Sequence, residues 1–528
     1  MPIFLTCCER ELYVWRRLMY RPPMKGCSLS KTVNENGEGL RKNAIGLLGA
    51  VIMSAALMGP AVSVYFNPQV SAASAGVATP FVFVLGLVVM LIVANGVMEM
   101  SRVLPSAGSF YTYVSRGIGP RSGFVTGALM FLAYALLVPA ELALIGIYTH
   151  DVLVGYGIDI SWIIISAFFT VLMVFLCLRG IVGSIRTAAV LFIAEVVVII
   201  VLSAIILAKG GAHGLTLAPL NPANSPTGIS GIALGMVFAI LSFVGFEAAT
   251  TLGEEVRRPR RNVPRAMFFA LFFVGLIYVF ATYSEMVGFG VDGVNKLVAD
   301  VAPFSTLAKT YAPWLNLLVG LAGISSIFAV TMNTNNGVVR IIFAMSREGM
   351  LPTRLSHVHP THRTPTTAIW FVGIFSVVLT FGVGLVAGPF NAYVYLGSIL
   401  TLAIIPVYIL TNVAAIRYFA TTRRSERSVL RHAVLPVLGI LLLAIPIYGQ
   451  VYPAPPAPLV YFPYLVLLFI IITALVAVRL GKRRPDVLLR AGATLAAADV
   501  DSGDDTTKGT VRADPSEETE NDRAAGRV

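Results

Sequence analysis

The sequence predicts an all-α polytopic membrane protein with about 12 transmembrane helices. Three observations carry that expectation. The 528 residues are 56% hydrophobic and only 12% charged, with a mean hydropathy of +0.80, too little polar surface for a soluble chain of this length. Apolar windows of roughly 20 residues recur along it, each long enough to cross a bilayer. Lys and Arg concentrate in alternate connections between those windows.

The spans are expected at 44–66, 79–100, 122–148, 160–178, 184–208, 229–252, 265–288, 314–338, 366–387, 390–416, 433–451 and 459–480. The third and tenth are long enough to tilt. One set of loops carries Arg102, Arg116, Arg121, then Arg179 and Arg186, then Arg257, Arg258, Arg260, Arg261 and Arg265, then Arg340, Arg347, Arg354 and Arg363, then Arg417, Arg423, Arg424, Arg427 and Arg431. The other set holds only Lys209, Lys296 and Lys309. The positive-inside rule then places both termini and the basic loops in the cytoplasm, in a multi-pass protein of the cytoplasmic (plasma) membrane surrounded by lipid. The net charge of +12 is accounted for by this topology, so no nucleic-acid partner is expected.

Residues 1–42 read as a cytoplasmic tail, 43–484 as one membrane domain and 485–528 as a disordered acidic cytoplasmic tail. The first span is full length and follows 43 polar or mixed residues, unlike a cleavable leader. Met24 offers an alternative start. Cys7, Cys8 and Cys27 fall in the tail and Cys177 in a span, so no disulfide framework is expected.

Two spans are interrupted at mid-depth. The first carries Met58-Gly59-Pro60 and the sixth carries Ser242-Phe243-Val244-Gly245-Phe246-Glu247. Hydrocarbon supplies no water to freed backbone groups, so a broken helix persists only inside protein or beside a cavity. Breaks in corresponding spans imply two inverted five-span repeats, about 44–208 and 229–416, with extra helices at about 433–480, and mark a solute-binding site. Ordinary Pro or Gly kinks are the competing explanation for either span alone.

Three further blocks carry a resemblance. Leu104-Pro105-Ser106-Ala107-Gly108-Ser109-Phe110-Tyr111-Thr112-Tyr113 with Gly117-Ile118-Gly119-Pro120 follows the second span. Phe246-Glu247, Glu254-Glu255 and Pro259-Arg260-Arg261-Asn262-Val263-Pro264-Arg265-Ala266 surround the end of the sixth. Arg340, then Phe343-Ala344-Met345-Ser346-Arg347-Glu348-Gly349-Met350-Leu351-Pro352 and Thr364-Pro365, connects the eighth to the ninth. Together they resemble amino acid permeases of the amino acid–polyamine–organocation superfamily over about 44–480. The resemblance implies a LeuT-type fold with discontinuous helices 1 and 6. It also implies secondary active transport of amino acids by alternating access, with no enzymatic activity and no cofactor.

The breaks suit a zwitterion. Amides at Ala61, where the first helix restarts after Met58, Gly59 and Pro60, can meet a substrate carboxylate. Carbonyls freed at Ala56–Met58, Val244 and Gly245 can accept from an amino group. Ala56-Leu57-Met58-Gly59 departs from the glycine-rich motif of many relatives, which leaves the carboxylate-binding residues open. Ser242, Phe243 and Phe246 complete the expected substrate site, the two aromatics either closing over substrate or packing in the core.

Glu141, Glu195, Glu247 and Glu285 lie within spans with no deep Lys or Arg to pair with them. An intramembrane charge costs roughly 2.5 kcal/mol or more, so each is a functional candidate. Glu247 resembles the family's acidic residue beside the sixth-helix break, there to couple a gate or to bond freed amides. Glu141 either faces the cavity or is structural. Glu195 lies within a turn or so of a lysine that, in some relatives, occupies the ion position of sodium-driven cousins. A proton on Glu195 is therefore the favoured coupling ion; sodium on Ser325 and Ser326 is the alternative, and uncoupled exchange another. Asn333, Thr334, Asn335 and Asn336 either wet the cytoplasmic pathway or mark the membrane boundary. Glu254 or Glu255 could form a gating ion pair with the neighbouring arginines.

The six histidines fall in loops or at span ends and form no in-span pair, which speaks against a haem or zinc enzyme. No metal site is expected. A sensor that kept a permease fold is the remaining rival. Side-chain preference is not readable; neutral amino acids are the default, and Glu141 leaves room for a cationic substrate or a polyamine.

Overall fold

The computed structural model describes residues 45–105, 108–180, 185–251, 256–347, 349, 351–359 and 364–483. Among them there is no strand, only a single parallel bridge between Ile45 and Val256. Eleven helices are long and apolar enough to cross a membrane, and the 17-residue Trp162–Leu178 makes a twelfth, shorter apolar helix. In chain order the twelve are α1 (Leu47–Tyr65), α2 (Thr79–Val103), α3 (Pro120–Val154), α4 (Trp162–Leu178), α5 (Ile185–Ala208), α6 (Ile229–Thr250), α7 (Pro259–Phe289), α8 (Asn316–Arg347), α9 (Thr366–Ala387), α10 (Pro389–Thr421), α11 (Leu435–Gly449) and α12 (Phe462–Arg483).

The protein is thus an all-α polytopic membrane protein, and each expected span has its helix. Ends differ where polar residues continue a helix beyond its apolar stretch. Helix α7 starts at Pro259, whose ring fits a first turn that needs no amide, and α8 runs on to Arg347. The asparagine-rich stretch therefore lies inside α8, eleven residues before its end, and does not mark where the helix stops. Thr334 and Asn335 are buried there, and Asn335 donates to the Cys177 sulfur of α4 at 3.1 Å.

The core is built by α1, α2, α3, α6, α7, α8 and α10, with α3 packed on α8 and α10, and α2 on α7. Helices α4, α5, α9, α11 and α12 expose apolar side chains such as Ile164, Val171, Val190, Ile374, Val378, Leu441 and Leu475. In water such a surface would be costly; against hydrocarbon it is the expected outer face.

Both expected interruptions are present. Helix α1 stops at Leu57 and restarts at Pro60, with Gly59 in the left-handed region at φ 55°. Helix α6 stops at Phe243, Val244 is extended, Gly245 has φ 107°, and a short helix resumes at Ala248–Thr251. The two breaks touch: a Cβ added to Gly245 would sit 3.0 Å from the main chain of Leu57. Glycine is required there both for its dihedral and for this approach.

Candidate functional site

At the α1 break, the residues around Met58, Gly59, Pro60 and Ala61 are buried, and their main-chain groups are met from three other helices. The Met58 carbonyl accepts from Tyr278 of α7 at 2.9 Å and from Ser63 at 2.8 Å. The Val62 amide donates to the Ser326 hydroxyl of α8 at 3.4 Å. Ser325 donates to Glu195 of α5 at 3.4 Å, and the Ser326 hydroxyl and Ala61 amide also point at that carboxylate. Glu195 and the Ser325-Ser326 pair, 130 residues apart in sequence, are therefore brought together against the helix restart. The Ala61 amide, expected to await a substrate carboxylate, lies close enough to Glu195 to act on its carboxylate electrostatically.

At the α6 break, Glu247 folds back so that its Oε2 accepts from the Gly245 amide at 3.1 Å, while Tyr134 of α3 donates to its Oε1. The Ala249 amide donates to Ser54 of α1 at 3.0 Å. Phe243 packs towards Gly275 and Gly86 with its ring 5.5 Å from Tyr278, and Phe246 packs 5.9 Å from Tyr408. Both aromatics are core residues in this conformation. Ser242 accepts from Asn67 at 2.7 Å, and Asn67 accepts from Tyr393 of α10 at 2.6 Å.

Past the α1 break lies an aromatic layer. Tyr65 stacks on Phe304 with centroids 4.7 Å apart, and Phe66 meets Tyr148 edge-on at 5.1 Å. All four rings are fully buried. Glu141 of α3 is 2% exposed, acts electrostatically on Tyr393, and leaves its Oε2 without a partner. Ion pairs among the described residues involve Glu99, Asp159 and Glu426, so the carboxyls within the breaks and on α3 and α5 have no cation. Glu254 and Glu255, proposed for a gating pair, lie outside the described residues.

Sequence reasoning did not anticipate Tyr134, Tyr278, Asn67, Tyr393 or Ser54. A tyrosine or asparagine inside an apolar span was the available signal, because a buried hydroxyl or amide needs a partner.

Comparison with known proteins fits this architecture. Residues 45–485 match the family model described as "Amino acid permease". The chain belongs to that family, a family of transporters, and is a multi-pass membrane protein. Among individual proteins, it is similar to the branched-chain amino acid permease BcaP of Bacillus subtilis, 25% identical over 65% of this chain and 76% of that protein. It is similar to the low-affinity putrescine importer PlaP of Escherichia coli K12, 28% identical over 66% of this chain and 76% of that one. The serine/threonine exchanger SteT of Bacillus subtilis is 26% identical over 76% of this chain and 89% of its own length.

Proposed function

We propose that this protein is a secondary active transporter that takes up amino acids across the cytoplasmic membrane by alternating access, driven by inward proton movement. The observation that carries this reading is the meeting of Glu195, Ser325 and Ser326 at the α1 restart, Ser325 on Glu195 and Ser326 on the Val62 amide, with the Ala61 amide beside the same carboxylate. An ionised Glu195 accepts from these donors and holds the restart of α1 against α5 and α8. A protonated Glu195 has less acceptor capacity, so the Ala61 amide is freed and the α1 segment is released to move. A substrate carboxylate is the natural replacement at that amide. Carbonyls at Val244 and Gly245, with Met58 and Gly59 opposite, receive the amino group. The two inverted repeats, about 44–208 and 229–416, supply the parts that rock about this site. The arginine-rich loops, with the termini on their side, face the cytoplasm.

The test is accumulation in proteoliposomes holding the full chain. Labelled leucine, serine, threonine and putrescine are each offered with the outside acidified. Accumulation above the outside level, abolished by collapsing the pH gradient, is expected for at least one. Counterflow without net accumulation would instead establish exchange, and no flux of any amino acid or amine would overturn the reading.

A second reading, amino acid or polyamine exchange, is favoured by the unpartnered Oε2 of Glu141. A buried carboxyl beside the site suits a second ammonium group on the substrate, and PlaP is a putrescine importer. Counterflow of putrescine without net accumulation, with the preference for putrescine over leucine lost in Glu141→Gln, would decide for it.

A further inference from the structure

The connection between α10 and α11 carries a surface that the transport reading does not use. From Arg423 to Arg431 it holds four arginines, residues 423, 424, 427 and 431, against one glutamate, Glu426. Between Arg427 and Arg431 lie Val429 and Leu430, 67% and 59% exposed. Their apolar line continues through the exposed Val434, Val437 and Leu441 on the outer face of α11.

This segment is held in place from beneath. Leu430–Val434 form a π-helical turn, an uncommon geometry that is frequent at functional sites. His432, in the middle of the turn, is buried. Its Nδ1 accepts from the Ser428 amide at 2.9 Å, which leaves Nε2 to donate to Glu99 Oε2 of α2 at 3.2 Å. Its ring stacks on Phe419 of α10 with centroids 3.7 Å apart. Asn95 of α2 donates to the Arg431 carbonyl at 2.6 Å. These contacts fix the backbone of residues 428–432 against α2 and α10, while Val429, Leu430 and the Arg431 side chain stay on the outside.

The charged groups around the turn are only lightly committed. Arg423 pairs with Glu426 at the surface, and the Arg424 Nε donates to the Ala420 carbonyl at 2.8 Å. Glu99 is held by Arg102 at 3.0 Å, whereas Arg431 comes no nearer to it than 4.0 Å and keeps 60% of its side chain exposed. Arg427 is exposed. Surface pairs of this kind contribute little, so the guanidinium groups remain open to an outside anion.

We propose that residues 423–431 are a docking surface for anionic phospholipid. The arginines take the headgroup phosphates, for which a planar guanidinium is suited, and Val429 and Leu430, with the stripe below them on α11, lie along the acyl chains. A soluble phosphate would meet the arginines but leave the apolar residues between them uncovered; a lipid covers both. Because the turn is tied to Glu99 and Phe419, lipid bound on its outer side braces the joint between α2, α10 and α11.

The test is the melting temperature of the full chain in neutral detergent, titrated with phosphatidylglycerol. Saturable stabilisation, weakened by salt, is expected. Arg424→Gln and Arg427→Gln, both at exposed positions, should each move the midpoint to about fivefold more lipid, and Leu430→Ser should move it the same way. Arg260→Gln combined with Arg261→Gln takes charge from the start of α7 instead and should leave the midpoint in place. Equal stabilisation by phosphatidylcholine, or by glycerol phosphate without acyl chains, would overturn the assignment to anionic lipid. An equal loss in the double variant at 260 and 261 would overturn its location. No uptake is measured, so the outcome stands apart from the transport reading.

Discussion

At the α1 break the freed main-chain groups are met by side chains from α5, α7 and α8, residues 195, 278 and 326. At the α6 break the principal acceptor is Glu247, two residues beyond Gly245 on the same segment, steadied by Tyr134 of α3. One interruption is wired outward to helices far along the chain; the other is largely closed on itself. The difference implies distinct tasks. A break held by remote helices transmits their state to the site, while a self-closed break keeps its shape as its surroundings move.

The comparison can be broken first at its glycines. Gly245→Ala forces an L side chain to φ 107° and brings its Cβ to 3.0 Å from the Leu57 main chain, which cannot yield cheaply. A cost on the order of 1–3 kcal/mol from strain alone is expected, seen as a lowered melting temperature in detergent and lost uptake. Gly59→Ala keeps a φ of 55°, and its Cβ would come within 2.6 Å of the buried Val330 and Val62 methyls. These are stiff β-branched side chains, so it too should destabilise. A melting temperature of Gly245→Ala at or above wild type would contradict the account of the α6 break.

Next in size is Glu247→Gln. Uptake should fall by roughly tenfold or more, about 1.4 kcal/mol, with the protein still in the membrane. Normal uptake would strip Glu247 of any part in the site. Glu195→Gln should abolish the rise in uptake on acidifying the outside while sparing exchange. An unchanged pH profile would move the coupling group off α5. The smallest effect is expected for Tyr278→Phe, which removes one of the two donors to the Met58 carbonyl. A net hydrogen bond contributes about 1 kcal/mol, so uptake should drop no more than about fivefold; total loss would mean that Tyr278 contacts substrate.

The spans and their interruptions were legible because they rest on local chemistry: apolar length, Gly and Pro, and the sidedness of arginine. Glu195 and Ser325-Ser326 could be suspected separately, since carboxyls and paired hydroxyls are conspicuous in apolar runs. Their meeting at Ala61 could not, because it depends on how α5 and α8 pack against α1. For the same reason the Asn67–Ser242–Tyr393 trio and the Tyr134–Glu247 bond stayed hidden, with partners more than 100 residues apart in sequence. The polar run at Asn333–Asn336 lies inside α8, which continues past it to Arg347; that the helix runs on was not legible from the polar residues alone.

The bridge between Ile45 and Val256 joins the chain just before α1 to the chain just after α6, with the Arg257 amide donating to the Ile45 carbonyl at 2.9 Å. Ser54 and Ala249 make a second rivet between the same two pieces. Pinned at two points, those pieces behave as one panel, and a displacement of either is passed straight to the other.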